Sequence, residues 1–343
     1  MRIAELYEPR HFRLAEGRIG EPSPGEIQVR VHSIGICGSD LHYFAEGRIG
    51  DVACQYPMVL GHEPTGAVVR TGAGVTGWAP GDRAALEPAL YCYHCEFCLS
   101  GHHNVCANIR FLSTPPDPGF FRECVNLPAH NLLPLPPELS MEEGTLFEPL
   151  AVALHSLELA ALGPGEHVAV FGAGPIGLLT IAVLRLAGAG RIWAAEPVAA
   201  RRELALQLGA DTAIDPAQAD PVKEILRDTG GRGVDAAIDC AARGQSMNQS
   251  IGAVRNAGRV IITGIPKEAR VPLDFHTARR KELALLNVRR SIHESRAALE
   301  MLREHGRLFA PMLTHKLPLD AVERAFTLLE SYQDGVGKVV LQP

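Results

Sequence analysis

The stretch that decides the fold reads G-I-C-G-S-D-L-H-Y at residues 35–43 and P-M-V-L-G-H-E at residues 57–63. It contains a thiol, an imidazole and a carboxylate, at Cys37, His62 and Glu63, and all three side chains bind zinc. Three protein ligands leave the fourth position of a tetrahedral ion open for chemistry. Either Cys37 or His62 alone would be explained as a core residue. Together, in glycine-rich turns with a hydroxyl and a second imidazole nearby, they predict a metal site.

Four cysteines further along the chain have the spacing C-x2-C-x2-C-x7-C and predict a second zinc site. Four thiolates so close in sequence complete a tetrahedral shell, which makes the site structural, because no position is left for a substrate. The alternative is a chance cluster of buried cysteines. The residues are Cys92, Cys95, Cys98 and Cys106.

A glycine motif opens a different kind of sequence after residue 166. The apolar run H-V-A-V-F leads directly into G-A-G-P-I-G, and the helix-like run L-L-T-I-A-V-L-R-L-A follows. Between a strand and a helix, such glycines allow a tight turn, close approach of the backbone to a pyrophosphate and close helix packing. Alternating strands and helices further on predict a doubly wound parallel sheet. We therefore predict a dinucleotide site at Gly172, Gly174, Pro175, Ile176 and Gly177.

The residues after the glycine motif bear on the choice of dinucleotide. Glu196 ends the next strand, 19 residues beyond the last glycine, where a carboxylate binds both ribose hydroxyls and repels a 2′-phosphate. This favours NAD over NADP, although Arg201 and Arg202 leave NADP open, because arginines near this point can hold the 2′-phosphate. Cys240 and Ile265 follow two later strands, and we expect them at the nicotinamide, although either fits a core position equally well.

A carboxylate lies in an apolar run just before the glycine-motif region. Ser140 and Glu143 have the S-x-x-E form of a capping box, which predicts a helix beginning near Met141. The helix should lead to F-E-P-L, where Pro149 is expected to end or kink it. Unless it is solvated, Glu148 in this run needs a partner or a metal.

The bulk composition excludes several classes of function. Lys and Arg number 33 against 39 Asp and Glu, so the net charge of −6 gives no basic surface for nucleic acid or anionic membranes. No apolar run approaches the roughly 20 residues of a membrane span, and the start M-R-I-A-E-L-Y lacks the apolar core of a signal peptide. We therefore expect a cytoplasmic protein whose clustered cysteines bind metal rather than form disulfides.

Several of these sequence motifs together resemble those of a known family. G-I-C-G-S-D-L-H-Y, G-R-I-G-D, P-M-V-L-G-H-E and F-E-P-L are similar to the words of the zinc-dependent medium-chain alcohol dehydrogenases, in the family's order and along essentially the whole chain. The branch that they resemble most is that of the sorbitol (polyol) dehydrogenases. The resemblance implies an α/β protein with a GroES-like, mostly-β catalytic domain over residues 1–148 and 289–343. It implies a Rossmann, doubly wound parallel-sheet cofactor domain over residues 149–288.

The resemblance also implies roles for individual residues. Ser39 would take the proton of the alcohol, and His42 would pass it to solvent through the cofactor ribose. Glu148 would face the catalytic zinc, directly or through water. Polyol dehydrogenases often have tyrosine where this chain has Ser291, and this departure leaves the substrate open. The pocket residues that the resemblance implies are Tyr43, Phe111 and Arg290.

The sequence thus predicts an enzyme that oxidises a secondary alcohol of a polyol, of sorbitol or xylitol type, to the ketose with NAD and zinc. L-threonine and vicinal diols such as 2,3-butanediol are alternative substrates that related branches oxidise on the same frame. A zinc-binding module for nucleic acid or a protein partner is disfavoured by the negative charge and by the lack of interleaved aromatic and basic residues. The resemblance implies a homotetramer or a homodimer.

Overall fold

A computed structural model describes residues 1–343 and divides the chain into two units. The first unit comprises Met1–Glu148, Ser295–Gly306 and Leu313–Pro343, and the second comprises Pro149–Glu294 and Arg307–Met312. Residues 289–294 and 307–312, which the sequence-based division assigns to the first domain, thus lie in the second unit. None of the helices combines the length and the apolar character that crossing a membrane requires.

The N-terminal part of the first unit consists mainly of short strands, as its alternating sequence predicts. Its helices are short because glycines and prolines interrupt the apolar pattern. The elements are β1 (Arg2–Glu8), β2 (His11–Glu16), β3 (Glu26–Gly35), α1 (Gly38–Glu46), β4 (Arg48–Ile49), β5 (Val52–Ala53), β6 (Glu63–Thr71), β7 (Arg83–Leu86), β8 (Ala89–Leu90), α2 (Glu96–Leu99), β9 (Arg110–Phe111), β10 (Cys124–Pro128), β11 (Leu132–Pro134) and α3 (Met141–Gly144).

The second unit alternates strands and helices, as predicted. Its elements begin with α4 (Phe147–Ala160), whose first two residues belong to the first unit. They continue with β12 (Val168–Phe171), α5 (Pro175–Leu186), β13 (Ile192–Ala195), α6 (Ala199–Gln207), β14 (Thr212–Ile214), α7 (Pro221–Asp228), β15 (Val234–Asp239), α8 (Gly244–Ala253), β16 (Val254–Ile262), α9 (Phe275–Arg280) and β17 (Ala284–Asn287). The chain ends with α10 (Ser295–Phe309), β18 (Leu313–Pro318), α11 (Val322–Ser331) and β19 (Lys338–Gln342).

The sheet of the second unit has the strand order β14-β13-β12-β15-β16-β17, and all its pairs are parallel. The order reverses at β12, which pairs with β13 on one side and with β15 on the other. In doubly wound sheets a ligand binds beyond the carboxyl ends of the strands at this switch point. The predicted parallel sheet is confirmed, and the glycine motif follows the strand at its centre.

The main sheet of the first unit brings distant segments together. Its order is β11-β7-β6-β3-β19-β18, with β10 paired to the other half of β3. The antiparallel pairing of β3 with β6 sets Gly35 opposite Glu63, and β19 pairs with β3 at the same point through Val340. The C-terminal strand therefore lies beside the segment that carries the predicted zinc ligands.

Aromatic packing fixes the helix that follows the first zinc ligand. Phe44 of α1 stacks on Phe12 of β2 at 5.7 Å between ring centroids, and Phe326 of α11 lies 4.7 Å from Phe44. All three rings are buried in the core of the first unit. Burial of large aromatic side chains is a main source of packing energy, so α1, whose N-cap is Cys37, is anchored by its apolar face.

The capping prediction is confirmed, whereas the effect expected of the proline is wrong. Ser140 caps α3, with its Oγ accepting the N–H of Glu143 at 3.1 Å and the Glu143 carboxylate accepting the N–H of Ser140 at 2.8 Å. Pro149 neither ends nor kinks a helix, because a new helix, α4, begins at Phe147. In the first turn a proline loses nothing, since those N–H groups have no partner within the helix.

Candidate functional site

The fold brings Cys37, His62 and Glu63 into one cluster. Cys37 is the N-cap of α1, two residues beyond the end of β3, and Glu63 is the first residue of β6. Their ligand atoms all lie within 4.8 Å of one another. His62 and Glu63 are buried and Cys37 is half-buried. A thiol, an imidazole and a carboxylate at these separations suit a borderline-soft dication, so the donor set fits zinc.

Asp40 organises this cluster, and sequence analysis missed it. Its buried carboxylate lies 3.3 Å from Nδ1 of His62, and it accepts the N–H of Cys37 at 3.1 Å and the N–H of Gly61 at 3.2 Å. The hydroxyl of Ser113 also donates to it, at 2.9 Å. The carboxylate thus orients the imidazole so that Nε2 is left for a metal, an arrangement common around zinc-binding histidines. Its position inside G-S-D-L-H was the available signal.

The charges around His62 favour a cation there. Burial lowers the pKa of His62, but Asp40 and Cys37 outweigh burial, and the pKa is raised well above its usual value. Burial raises the pKa of Asp40, yet His62 and two backbone N–H groups hold it below its usual value. A site that holds a proton so firmly is electrostatically prepared for a metal ion, which takes the place of that proton.

Glu63 has a partner that sequence analysis also missed. Nζ of Lys338 lies 2.6 Å from Oε1 of Glu63, and both side chains are closed to solvent. The available signal was a lysine in the apolar strand sequence G-K-V-V-L, because a buried lysine needs a carboxylate as its partner. The ion pair compensates one negative charge of the cluster without occupying the ligand atoms of Cys37 and His62.

Glu148 is placed near this cluster but not in it. Its carboxylate is not among the donor atoms that lie within 4.8 Å of one another. It is buried in the first turn of α4, and burial, together with Glu63 and Glu87, raises its pKa to about 7, against the opposing effect of His62 and Lys338. It is therefore electrostatically coupled to the metal ligands, while its role as a ligand stays a proposal.

The other residues predicted around the catalytic zinc have different surroundings. Ser39 has its Oγ 3.4 Å from Nε2 of His62, and the ring of Phe111 meets the His62 ring edge-on at 5.4 Å. Tyr43 is only 3% exposed and belongs to the core of the first unit. Arg290 lies in the second unit with a left-handed backbone at φ 55°.

The four-cysteine cluster has the geometry of a closed zinc site. The sulfur of Cys106 lies 3.4 Å from that of Cys92 and 3.8 Å from that of Cys95, and Cys92 lies 4.0 Å from Cys98. Tetrahedral zinc with Zn–S distances of about 2.3 Å separates its sulfurs by about 3.8 Å. None of the four cysteines forms a disulfide. The cluster therefore fits a zinc ion without rearrangement.

The glycine motif has the shape of a phosphate cradle. Gly172 has φ 90°, and a Cβ there would lie 2.8 Å from Cβ of Ala241. A Cβ at Gly177 would overlap the carbonyl oxygen of Gly172. At Gly174, by contrast, a Cβ would meet nothing closer than Nη1 of Arg201, 3.8 Å away. The space is thus open at Gly174, at the N-terminus of α5, where backbone N–H groups attract a phosphate.

The carboxylate of Glu196 is fixed beside this cradle. One of its oxygens accepts the N–H of Ala173 at 2.7 Å and the other accepts the N–H of Val198 at 3.0 Å. Arg202 donates to the carbonyl oxygens of Glu196 and Pro197 and forms an ion pair with Asp215, so its guanidinium already has partners within the protein. Arg201 is buried, and its Nη1 is the atom that would lie 3.8 Å from a Cβ at Gly174.

Cys240 and Ile265 follow the ends of β15 and β16, as predicted. Cys240 packs below the start of α5, with its sulfur 3.9 Å from Oγ1 of Thr180, and burial raises the pKa of its thiol to about 12. Ile265 is 45% exposed. Cys240 is half-buried and packs against the cradle, and Ile265 is exposed, so both remain candidates for contact with a ligand.

Comparison with known proteins places these features in context. Residues 23–137 match the model of the alcohol dehydrogenase GroES-like domain, and residues 175–309 match that of the zinc-binding dehydrogenases. The sorbitol dehydrogenase of Homo sapiens is 36% identical over 342 residues, which covers 98% of this chain and 94% of the human one.

Two crystal structures share the whole fold. One is of a protein described as a zinc-binding dehydrogenase from Sinorhizobium meliloti 1021, bound to NADP; it is 30% identical, has a TM-score of 0.91 and covers 100% of this chain and 99% of its own. The other is 2R,3R-butanediol dehydrogenase from Bacillus subtilis, 31% identical with a TM-score of 0.89 and the same coverage.

Proposed function

Because the chain belongs to the zinc-dependent medium-chain alcohol dehydrogenases, in their sorbitol dehydrogenase branch, we propose that it oxidises a secondary alcohol of a polyol to the ketose. The hydride passes to NAD. The observation that carries the proposal is the cluster of Cys37, His62 and Glu63 with the hydroxyl of Ser39 beside it. Three ligands with an open position and a proton-accepting group next to them are what alcohol oxidation on zinc needs.

Cys37, His62 and Glu63 would hold the catalytic zinc, and Glu148 would face it directly or through water. When bound, zinc supplies a Lewis acid that favours loss of the alcohol proton, and NAD supplies the acceptor for the hydride. Ser39 accepts the proton at Oγ, and His42, one turn further along α1, passes it towards solvent. Asp40 keeps the imidazole of His62 in the orientation that binding requires.

The second unit would hold the nicotinamide cofactor. Gly172, Gly174 and Gly177 let the backbone approach the pyrophosphate, with Pro175 and Ile176 opening α5 beneath it. The carboxylate of Glu196, which two backbone N–H groups hold in place, binds the ribose hydroxyls and repels a 2′-phosphate. Arg201 lies beside the cradle, and Cys240 and Ile265 line the nicotinamide end.

The substrate class rests on the sorbitol dehydrogenase relatives, and Tyr43, Phe111 and Arg290 remain the residues that we propose, from the family resemblance, for substrate binding. The likeness to a butanediol dehydrogenase makes a vicinal diol the second candidate substrate. Polyol dehydrogenases often have tyrosine where this chain has Ser291, so the diol and L-threonine are both included in the test. We further propose that the protein is cytoplasmic, because eight free cysteines, several of them in the two clusters, need a reducing compartment. From the family resemblance we propose a homodimer or a homotetramer.

The test is NADH formation with sorbitol, xylitol, galactitol, L-threonine and 2,3-butanediol, with NAD and NADP compared in parallel. Turnover of a polyol with NAD, lost to a chelator and restored by zinc, is the expected result. Turnover of only the diol or threonine would keep the chemistry and replace the substrate. Turnover with NADP at a rate equal to that with NAD would overturn the role given to Glu196.

A further inference from the structure

Asp239 is a buried carboxylate that the proposed chemistry does not use. It is the last residue of β15, at the carboxyl edge of the parallel sheet, and its side chain is closed to solvent. Ionised carboxylates are costly to bury, so one without a charged partner calls for an explanation. Resting on the proposed function, we propose that Asp239 is a positioning residue that holds the loop 240–243 in the shape required by the dinucleotide.

The hydrogen bonds of the Asp239 side chain all go to the segment that follows it. Its Oδ1 accepts the N–H of Ala241 and the N–H of Ala242, each at 3.0 Å. The hydroxyl of Ser246, in the first turn of α8, lies 3.0 Å from both carboxylate oxygens. One side chain thus fixes the loop at its start and the helix that the loop leads into.

The loop needs this support because its backbone is strained. Ala242 has φ 51°, a left-handed conformation that is unfavourable for a residue with a Cβ. The Asp239 carboxylate accepts the N–H of this residue, so the same hydrogen bond that closes the turn also stabilises the strained conformation. Without a strong acceptor at this point, Ala242 would relax towards ordinary backbone angles and the loop would change shape.

The loop forms one wall of the glycine cradle. A Cβ at Gly172 would lie 2.8 Å from Cβ of Ala241, and a Cβ at Gly264 would lie 2.6 Å from Cβ of Ala242. The N–H of Ala241 also donates to the carbonyl oxygen of Phe171, just before the glycine motif. A shift of the loop would therefore move the first glycine of the cradle and the segment after β16 together.

The ends of three adjacent strands converge on Asp239. Its backbone carbonyl accepts the N–H groups of Thr263 and Gly264, so β16 is tied to β15 at the same residue that holds the loop. β12, with the glycine motif, lies on the other side of β15. Asp239 acts through backbone atoms of its neighbours and not on the reacting atoms, so its loss should weaken nucleotide binding more than it slows the chemical step.

The test compares Asp239→Asn and Ser246→Ala with the matched control Ser250→Ala. Ser250 is a buried serine of the same helix whose hydroxyl donates to the carbonyl oxygen of Ser246 and not to Asp239. Dissociation constants for NADH and NADPH are measured by fluorescence titration, and melting temperatures and zinc contents are measured on the same samples. Ser246→Ala keeps the test open if Asp239→Asn fails to fold.

We expect Asp239→Asn to raise the dissociation constant of NADH about tenfold or more, Ser246→Ala about fivefold, and Ser250→Ala less than about twofold. The melting temperature of Asp239→Asn should not fall, because a neutral amide is less costly to bury than a carboxylate. A purely structural role would instead lower the melting temperature and leave the affinity of the folded protein unchanged.

NADH affinities of Ser246→Ala and Asp239→Asn that match those of Ser250→Ala would overturn the inference, while leaving the proposed function intact. A wild-type protein that binds neither nucleotide would overturn both. A fall in kcat at saturating NAD with no change in NADH affinity would also contradict it, because that pattern belongs to a group that acts on the reacting atoms.

Discussion

Glu63 and Lys338, which are 275 residues apart in sequence, form an ion pair in which both side chains are closed to solvent. The pair crosses over Gly35 of the intervening strand, where a Cβ would overlap the carboxylate and lie 2.9 Å from Cε of Lys338. Burial lowers the pKa of Lys338, but Glu63 and Cys37 outweigh it and raise the pKa above its usual value. The metal cluster thus carries its own counter-charge within the first unit.

Removal of this lysine should destabilise the metal-free protein strongly. Lys338→Met leaves the carboxylate of Glu63 buried without a partner, and breaking a buried pair in this way costs about 3–5 kcal/mol. The free energy of unfolding, measured by urea in the presence of a chelator, should fall by that amount. Lys316→Met is the matched control, because Lys316 pairs with Glu142 at a half-exposed site, where the loss is about 0–1 kcal/mol. Equal losses for the two variants would contradict the prediction.

The hydroxyl of Ser39 should matter for turnover and not for the cofactor. Ser39→Ala removes the proton acceptor next to His62, and general-base catalysis contributes about 10²–10⁴-fold to a rate. We expect kcat to fall within that range while the NADH dissociation constant and the zinc content stay at wild-type values. Ser100→Ala, at an exposed serine of the same unit, is the control. A Ser39→Ala protein that turns over at the wild-type rate would remove Ser39 from the mechanism.

Two glycines of the cradle should respond differently to the same change. At Gly177 a methyl group overlaps the carbonyl oxygen of Gly172, so Gly177→Ala should lower the melting temperature. At Gly174 a Cβ would meet no protein atom closer than 3.8 Å and the backbone is extended, so Gly174→Ala should fold normally. Its methyl group takes the space of the pyrophosphate, and NADH affinity should fall about tenfold or more. Unchanged affinity of Gly174→Ala would argue against a dinucleotide there.

The part of the site that depends on local sequence was predictable. The four-sulfur shell and the glycine motif are each formed by residues that lie close together in the sequence. Both could therefore be predicted from the spacing of neighbouring residues. Cys37 and His62 were found because a thiol and an imidazole lie together in glycine-rich turns, with a hydroxyl and a second imidazole nearby. The parallel sheet followed from the alternation of strands and helices.

What the sequence did not reveal depends on contacts between distant segments. Nothing near Lys338 names Glu63 as its partner, because the strands that carry them are joined only through β3. Asp40 was visible in the motif, but its hydrogen bonds to Gly61 and Ser113 require the folded chain. Pro149 was misjudged because the start of α4 depends on where the preceding helix stops.

The four-cysteine site should contribute stability and leave the catalytic zinc in place. Cys98→Ser removes a ligand from a closed shell, and the bound zinc should fall from two ions per chain to one. We expect a lower melting temperature and unchanged initial turnover at low temperature, because the cluster has no open position. Cys124→Ser, at a cysteine outside both clusters, controls for the loss of a thiol. Metal analysis that still finds two zinc ions in Cys98→Ser would contradict the assignment.

The buried carboxylate of Asp239 should leave a signature in the pH dependence of stability. Burial raises its pKa from 3.8 to about 6, against the backbone N–H groups and Ser246 that lower it, and the neighbouring thiol of Cys240 stays neutral with a pKa of about 12. The folded state therefore holds this proton more tightly than the unfolded chain does, and the free energy of unfolding falls as the pH rises from about 4 to about 6. Linkage predicts that the free energy of unfolding falls by about 2 kcal/mol between about pH 4.5 and about pH 7.5. The free energy of unfolding of Asp239→Asn should not fall in this way. Measured by urea unfolding, the stability of Asp239→Asn relative to wild type should therefore rise by about 2 kcal/mol over the same pH interval. Asn248→Asp, which adds a partly exposed carboxyl group, is the charge control. A difference between Asp239→Asn and wild type that is constant with pH would show that Asp239 does not titrate in this window.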